Sequence, residues 1–254
     1  MTPSSLSAVR TAIVTCEQCP RLRSYCQEVG RTRKASFRDE LYWARPVPGF
    51  GDPEARVLIL GLAPAAHGAN RTGRVFTGDG AGASGDFLMA ALNRSGFANL
   101  DTSQHVDDGL ALRDAYIAAA VRCAPPDNKP LPEEVNRCLT HLANEVAQLP
   151  KLQVVVALGK IAWDAWLKLS ALRGVAMPKP RPQFGHGAIA HLHPSTSARG
   201  HPSTLAPKHP STLAPQHPST LVGVYHPSRQ NTNTGVLTPS MYDAVFKSVR
   251  RSLR

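Results

Sequence analysis

Residues 57–79 begin with an unbroken apolar run, Val57-Leu58-Ile59-Leu60, which breaks at Gly61 into a loop of Gly, Pro and Ala. A strand with no polar alternation has to be covered on both faces, the condition of a parallel strand between helical layers. Three further runs of this kind follow, at residues 116–121, 153–158 and 221–225. Helical patterns lie between and after them, at residues 84–94, 132–148, 161–171 and 241–253. Pro132-Glu133-Glu134 is a good helix start, with Pro in the first turn and acids at the positive end of the dipole. The β-α-β-α rhythm predicts a parallel sheet with helices on both faces. Ligands of such sheets bind beyond the carboxyl ends of the strands. The loop after residue 60 lies there, carrying His67, Arg71, Arg74, Phe76 and Asp79. Glycines, one aromatic ring, two arginines and a carboxylate suit a flat, polar, anion-linked ligand.

A chain of 254 residues can bury one substantial core, so a single domain over residues 1–254 is expected, with residues 1–10 disordered. Lys and Arg outnumber Asp and Glu by 29 to 18, a net charge of +11, which points to a polyanion and first to nucleic acid. No apolar run approaches the roughly 18 residues of a membrane span. The first residues lack the charged start and apolar stretch of a signal peptide, so a cytoplasmic protein is expected, with reduced cysteines.

Cys16 and Cys19 form a C-x2-C pair, which brings two thiolates within reach of one metal centre. Cys123 and Cys138 supply a second, wider pair. Four thiolates from two places suit either zinc or a [4Fe–4S] cluster; Cys26 reads as a small apolar residue. Residues 20–50 combine Arg21, Arg23, Arg31, Arg33 and Lys34 with Tyr42 and Trp43 and read as an irregular basic segment suited to phosphate contact.

After the last strand comes His226-Pro227-Ser228-Arg229-Gln230-Asn231-Thr232-Asn233-Thr234-Gly235. A His leaving a strand end, fixed by the following Pro, can donate a hydrogen bond to a developing anion. The same His-Pro-Ser-Thr context starts at His193, His201, His209 and His217. These copies read as a Pro-rich tandem repeat with no apolar period to bury, a surface loop over residues 193–220. Only His226 follows a strand-like run.

Together these motifs resemble the uracil-DNA glycosylase superfamily, and most closely its type 5, iron–sulfur-containing branch. Gly61 to Gly68 is similar to the family's first motif, Arg74 to Asp79 to its continuation, Val121 to Asn128 to the cluster-bearing segment, and His226 to Gly235 to the second active-site motif. The resemblance implies a three-layer α/β/α fold around a central four-stranded parallel sheet. It also implies a [4Fe–4S] cluster on Cys16, Cys19, Cys123 and Cys138. In this reading Phe76 stacks on a flipped base, His226 hydrogen-bonds its O2, and Asp79 places the attacking water. The pocket would be built from Gly61, Ala63, Pro64, His67 and Asn128. Arg71, Arg74, Ser228, Arg229, Gln230 and Asn231 would contact DNA. The first motif, Leu62-Ala63-Pro64-Ala65-Ala66, lacks the polar residue that related branches carry there, and Ala119 replaces an Asn of the type 4 branch. A roomier pocket follows, accepting hypoxanthine beside uracil. The implied protein is a nucleoid-associated monomer acting on double-stranded DNA with deaminated bases. The competing reading is a non-catalytic DNA-binding module with an iron–sulfur or zinc knot.

Overall fold

The computed structural model describes residues 5–78, 80, 82–194 and 220–253. Asp79 and most of the His-Pro-Ser-Thr copies, residues 195–219, therefore lie outside the described residues, as do residues 1–4 and 254. The elements run α1 (Leu6–Val14), α2 (Pro20–Thr32), β1 (Phe50–Gly51), β2 (Val57–Gly61), α3 (Ala69–Thr72), α4 (Ser84–Arg94), β3 (Ala115–Ala119), α5 (Pro132–Val146) and β4 (Val154–Leu158). They continue α6 (Lys160–Leu172), β5 (Val175–Ala176), β6 (Ile189–His191), β7 (His193–Pro194), β8 (Thr220–Val224), α7 (Arg229–Asn233) and α8 (Pro239–Ser252).

The central sheet has six strands in the order β1-β3-β2-β4-β8-β6. Its inner four are parallel, with Ile59 opposite both Ile117 and Val156, and Val156 opposite Val222. The predicted four-stranded sheet is thus its core. Two antiparallel edges complete it, β1 on β3 and β6 on β8. These edges are two and three residues long, too short to carry a periodic signal, and short edges also resist pairing with other chains. β5 pairs with β7 in a separate two-stranded sheet.

Every residue of β2, β3 and β4 is buried, and the pleat divides them between two cores. Val57, Ile59, Ile117 and Val156 face α4 and α8, meeting Leu88, Leu92, Tyr242 and Phe246. Leu58, Leu60, Ala118 and Val155 face α5 and α6, meeting Leu142, Val146, Trp163 and Trp166. Helices therefore cover both faces.

Two expectations for the amino-terminal part change. α1 begins at Leu6, its first turn capped by Ser5, whose side chain accepts from the Ala8 amide; disorder through residue 10 is replaced by helix. The basic segment from residue 20 starts with a 13-residue helix. Leu22, Cys26 and Val29 are its buried stripe, spaced for one helical face but hidden in the sequence among cations.

Candidate active site

Beyond the carboxyl ends of the parallel strands lies a cavity of about 320 Å³, at the small end of the usual range for ligand pockets. Leu62, Ala63 and Ala65 approach it from the loop after β2, Ala119 from the end of β3, and Asn128 from the turn that follows. His226, Ser228 and Arg229 come from the loop after β8, and Val75, Phe76, Ala83 and Ser84 close the remaining wall. Parallel pairing of β3, β2, β4 and β8 brings loops distant in sequence to one edge.

Phe76 is held by backbone. Its φ is +53°, a conformation rare for a bulky residue and a cost of order 1–3 kcal/mol. Two glycines make room for it. A Cβ on Gly61 would lie 2.8 Å from Phe76 Cε2, and one on Gly85 would lie 2.3 Å from the Phe76 carbonyl oxygen. The ring stands 6.0 Å from the His226 ring, centroid to centroid, at an interplanar angle of 31°.

His226 is half-buried. Desolvation pushes its pKa down to about 4, so the imidazole is neutral at physiological pH. Asn231 Nδ2 donates to the His226 carbonyl at 2.9 Å. Ser228 caps α7 by accepting from the Asn231 amide. Both side chains thereby shape the His226 loop. The His226 ring has no hydrogen-bond partner among the described residues, which leaves its N–H for a ligand. The α4 amino terminus, at Ala83 and Ser84, adds the positive end of a helix dipole to the same wall. Neutral donor and dipole together favour negative charge developing in the cavity.

The remaining expected residues lie elsewhere. Pro64 is buried in the loop. His67 Nδ1 hydrogen-bonds the Tyr42 hydroxyl at 3.1 Å, and burial, aided by Lys34 and Arg71, lowers its pKa. Arg71 and Arg74, read in sequence as DNA contacts, are buried. Arg71 stacks on Phe37 at 3.9 Å, pairs with Glu40, and donates to the His67 and Gly78 carbonyls at 2.9 and 2.5 Å. Arg74 donates to Thr77, Ser103, the Val106 carbonyl and Asp108. A guanidinium with five donors organises a carbonyl-rich loop as well as it grips phosphate, and here both are spent inside. Burial alone would raise the Asp108 carboxyl, but Arg74 and the Leu110 and Gln104 amides overcome it and hold the pKa at about 2. Arg74→Ala should therefore cost about 3–5 kcal/mol by stranding a buried charge. Chemical denaturation measures that loss, and the salt dependence of DNA binding by the folded variant should not change. Arg229, which lines the cavity, and its neighbour Gln230 are exposed and remain candidates for DNA contact. The sequence reading missed Ser84 and Gly85, although a Ser-Gly helix start two turns after an aromatic loop is a signal it could have used.

A second cluster lies behind the β3 end of the site. Cys19, Cys123 and Cys138 are buried with Leu22, Cys26, Val121 and Ala124, and Cys16 is half-buried. Charge on Cys16 would act on both Cys19 and Cys138, so the four expected sulfurs share one neighbourhood. Burial raises the Cys19 thiol and takes Cys138 to about 11; thiolates there need a compensating cation. Arg137, which donates to the Gln18 carbonyl at 3.3 Å, acts against that rise at Cys19. Among the described residues no three His, Cys, Asp or Glu side chains converge as a single ion requires. A purely thiol donor set in an apolar shell fits an iron–sulfur cluster, whose four irons spread their ligands apart.

Comparison of the sequence with known proteins agrees with the fold. The chain belongs to the uracil DNA glycosylase superfamily, whose family model matches residues 48–250. Within that class it is similar to type-5 uracil-DNA glycosylases. It is 46% identical to that of Thermus thermophilus over 94% of each chain. It is 42% identical to that of Mycobacterium bovis over 97% of this chain and 81% of the relative. A type-4 uracil-DNA glycosylase of Pyrobaculum aerophilum is 32% identical over 59% of this chain and 67% of the relative.

Proposed function

We propose that this protein removes uracil from DNA by hydrolysing its N-glycosyl bond. The observation that carries the reading is the cavity in which Phe76 and a neutral His226, its ring unpartnered among the described residues, face each other beyond the sheet. A base buried in a duplex must first be extruded, at a cost of a few kcal/mol that is least for mispaired bases. Phe76 offers the flipped base a π-surface already in place. As the C1′–N bond lengthens, the sugar gains oxocarbenium character, as in glycoside hydrolysis, and the leaving base gains negative charge. The His226 N–H and the α4 amino terminus stabilise that charge. Asp79, the residue after Gly78, positions water on the opposite face of the sugar. Asp79→Asn should lower single-turnover excision at least about tenfold with duplex binding nearly unchanged; an unchanged rate would return Asp79 to a turn role.

The cavity lining is alanine-rich, with Ala63, Ala65, Ala69 and Ala119. It offers few side-chain donors to distinguish pyrimidine from purine, which supports excision of hypoxanthine beside uracil. Double-stranded DNA is the proposed substrate and a monomer the acting species in the nucleoid. Cys16, Cys19, Cys123 and Cys138 would hold a [4Fe–4S] cluster. When bound, it supplies a cross-link between the amino-terminal arm and the segment after β3. No described helix is long and apolar enough to cross a membrane. The test is release of free base from duplexes carrying uracil, hypoxanthine or xanthine. Release of uracil supports the reading; binding without release returns the protein to a DNA-binding module.

A further inference from the structure

A second groove, of about 700 Å³, has more than twice the volume of the cavity at the strand ends and shares no lining residue with it. One wall is α6. Lys160, Asp164, Leu167, Lys168 and Ala171 line it, at spacings that keep to one side of a helix. From residue 160 to residue 171 the helical rise makes that wall about 16 Å long, the length of about five residues of extended chain.

The other wall belongs to the segment from Met177 to Phe184, Met-Pro-Lys-Pro-Arg-Pro-Gln-Phe. Alternating prolines stiffen it, and its far end is fastened to the fold. The Trp163 indole donates to the Pro182 carbonyl at 3.2 Å. The Phe184 ring meets the Trp163 and Tyr225 rings, each at 6.1 Å between centroids. A Cβ on Gly223 would lie 2.5 Å from the Gly185 carbonyl oxygen, so this segment packs directly on β8. Both walls are set before anything binds.

The floor is apolar and the rim cationic. Leu167 is buried, and Met177 and Phe184 are half-buried, whereas Lys160, Lys168 and Arg181 are exposed. Asp164 is the one carboxylate in the lining. Two cations share it, Lys160 at 2.5 Å and Arg181 at 3.6 Å. Lys168 donates to the neutral Asn136 Oδ1 at 2.6 Å. The lining therefore lacks negative charge.

The direction of the groove decides its occupant. Lys160 follows Gly159, whose built Cβ would lie 3.7 Å from His226 Cβ, so one end opens at the catalytic edge of the sheet. From there the groove follows α6 back along the sheet face that Trp163, Trp166 and Leu167 cover. A duplex lying across the strand ends would pass over this end and not down the length. A sugar–phosphate backbone also brings no side chain to fill an apolar floor. A short peptide with carboxylates for the rim and one apolar side chain for the floor meets both conditions. We propose that the groove docks an extended acidic segment of a second protein, about five residues long and carrying one Leu or Phe. A partner held there stands beside the duplex without covering the cavity. The inference does not depend on the glycosylase reading.

The test is fluorescence anisotropy of labelled Glu-rich pentapeptides carrying one Leu or Phe at each position in turn. An all-Glu peptide and a set with Lys in place of Glu are the controls. At least one Leu or Phe peptide should saturate the parent and bind at least about tenfold more weakly to the double variant Lys168→Glu, Arg181→Glu. Lys168→Ala and Arg181→Ala should each give a smaller loss in the same direction. The all-Glu peptide should bind the parent at least about fivefold more weakly, for want of a side chain on the floor, and the Lys set should not bind. Both substituted side chains are exposed, so the double variant should keep the parent's Tm. A duplex whose affinity for the double variant falls as far as the peptide's would make the groove a nucleic-acid surface and overturn the proposal. So would an all-Glu peptide that binds as well as the best of the others, or a parent that no peptide saturates.

Discussion

His226→Ala should slow single-turnover base release about 10²–10³-fold, the usual loss for one preorganised donor to a developing oxyanion. The loss should be larger for a poor leaving base than for a good one, because the hydrogen bond matters in proportion to the charge the base develops. Rate constants for a series of substituted uracils give that comparison directly, and equal losses along the series would remove His226 from leaving-group stabilisation. The pH dependence follows from burial. With a pKa near 4, His226 stays neutral from about pH 5.5 to 8, so its titration should put no break in the rate profile there. An ordinary imidazole would put one near pH 6.5. For stability the sign is the usual one for a buried neutral histidine. The folded pKa lies below the unfolded value, so the contribution is complete above about pH 6.5 and is lost as pH falls toward 4. His141, held near 4 by burial and by Arg122, adds to the same loss. Denaturation midpoints measured between pH 7 and 5 should show it.

Removing any of Cys16, Cys19, Cys123 or Cys138 should cost soluble protein before it costs chemistry, because metal-binding free energy in such a site is also folding free energy. Cys26→Ser should retain iron and the absorbance near 400 nm. Iron and sulfide counts on the purified variants decide the set, and a colourless Cys26→Ser protein would mean that Cys26 belongs to it. The comparison is sharp because Cys26 is buried in the same cluster, its thiol donating to the Ala124 carbonyl at 3.6 Å. The shell is stiff on the α5 side. Arg122, beside Cys123, is fully buried with its guanidinium 2.6 Å from Glu145, and Glu145 also accepts from the Gly49 amide and the Tyr116 hydroxyl. α5 thus carries Cys138 and the partner of Arg122 on one buried face. A lost ligand would therefore disturb β3 and its neighbours as well as the amino-terminal arm.

What the sequence disclosed depended on length and on pattern. The four parallel strands and helices α4, α5, α6 and α8 were legible because each is long enough to show its burial as an apolar run or a helical stripe. Edge strands such as Ile189–His191 were not, since three residues carry no period. α2 was hidden by its cations, which outnumber the Leu22, Cys26 and Val29 stripe that makes it a helix. The site was legible as motifs and misread in part as chemistry. Phe76 and His226 could be placed at strand ends, and both reach the cavity. Arg71 and Arg74 looked like phosphate ligands because charge is visible in sequence and burial is not. No pattern in the sequence disclosed that Leu62 lines one cavity with Ala119, because the pairing of β2 with β3 brings them together.

The unfavourable φ of Phe76 has a thermodynamic meaning for recognition. The distortion is present in the protein without DNA and is balanced there by the packing that Gly61 and Gly85 permit. It belongs to the folding equilibrium and is absent from the binding one. A base arriving in the cavity meets a surface that needs no rearrangement, so its stacking free energy appears undiminished in the extrusion equilibrium. Adding a methyl group at position 61, 2.8 Å from the ring, would disturb that balance: the fold would lose packing that offsets the strain, and the arriving base would meet a displaced surface.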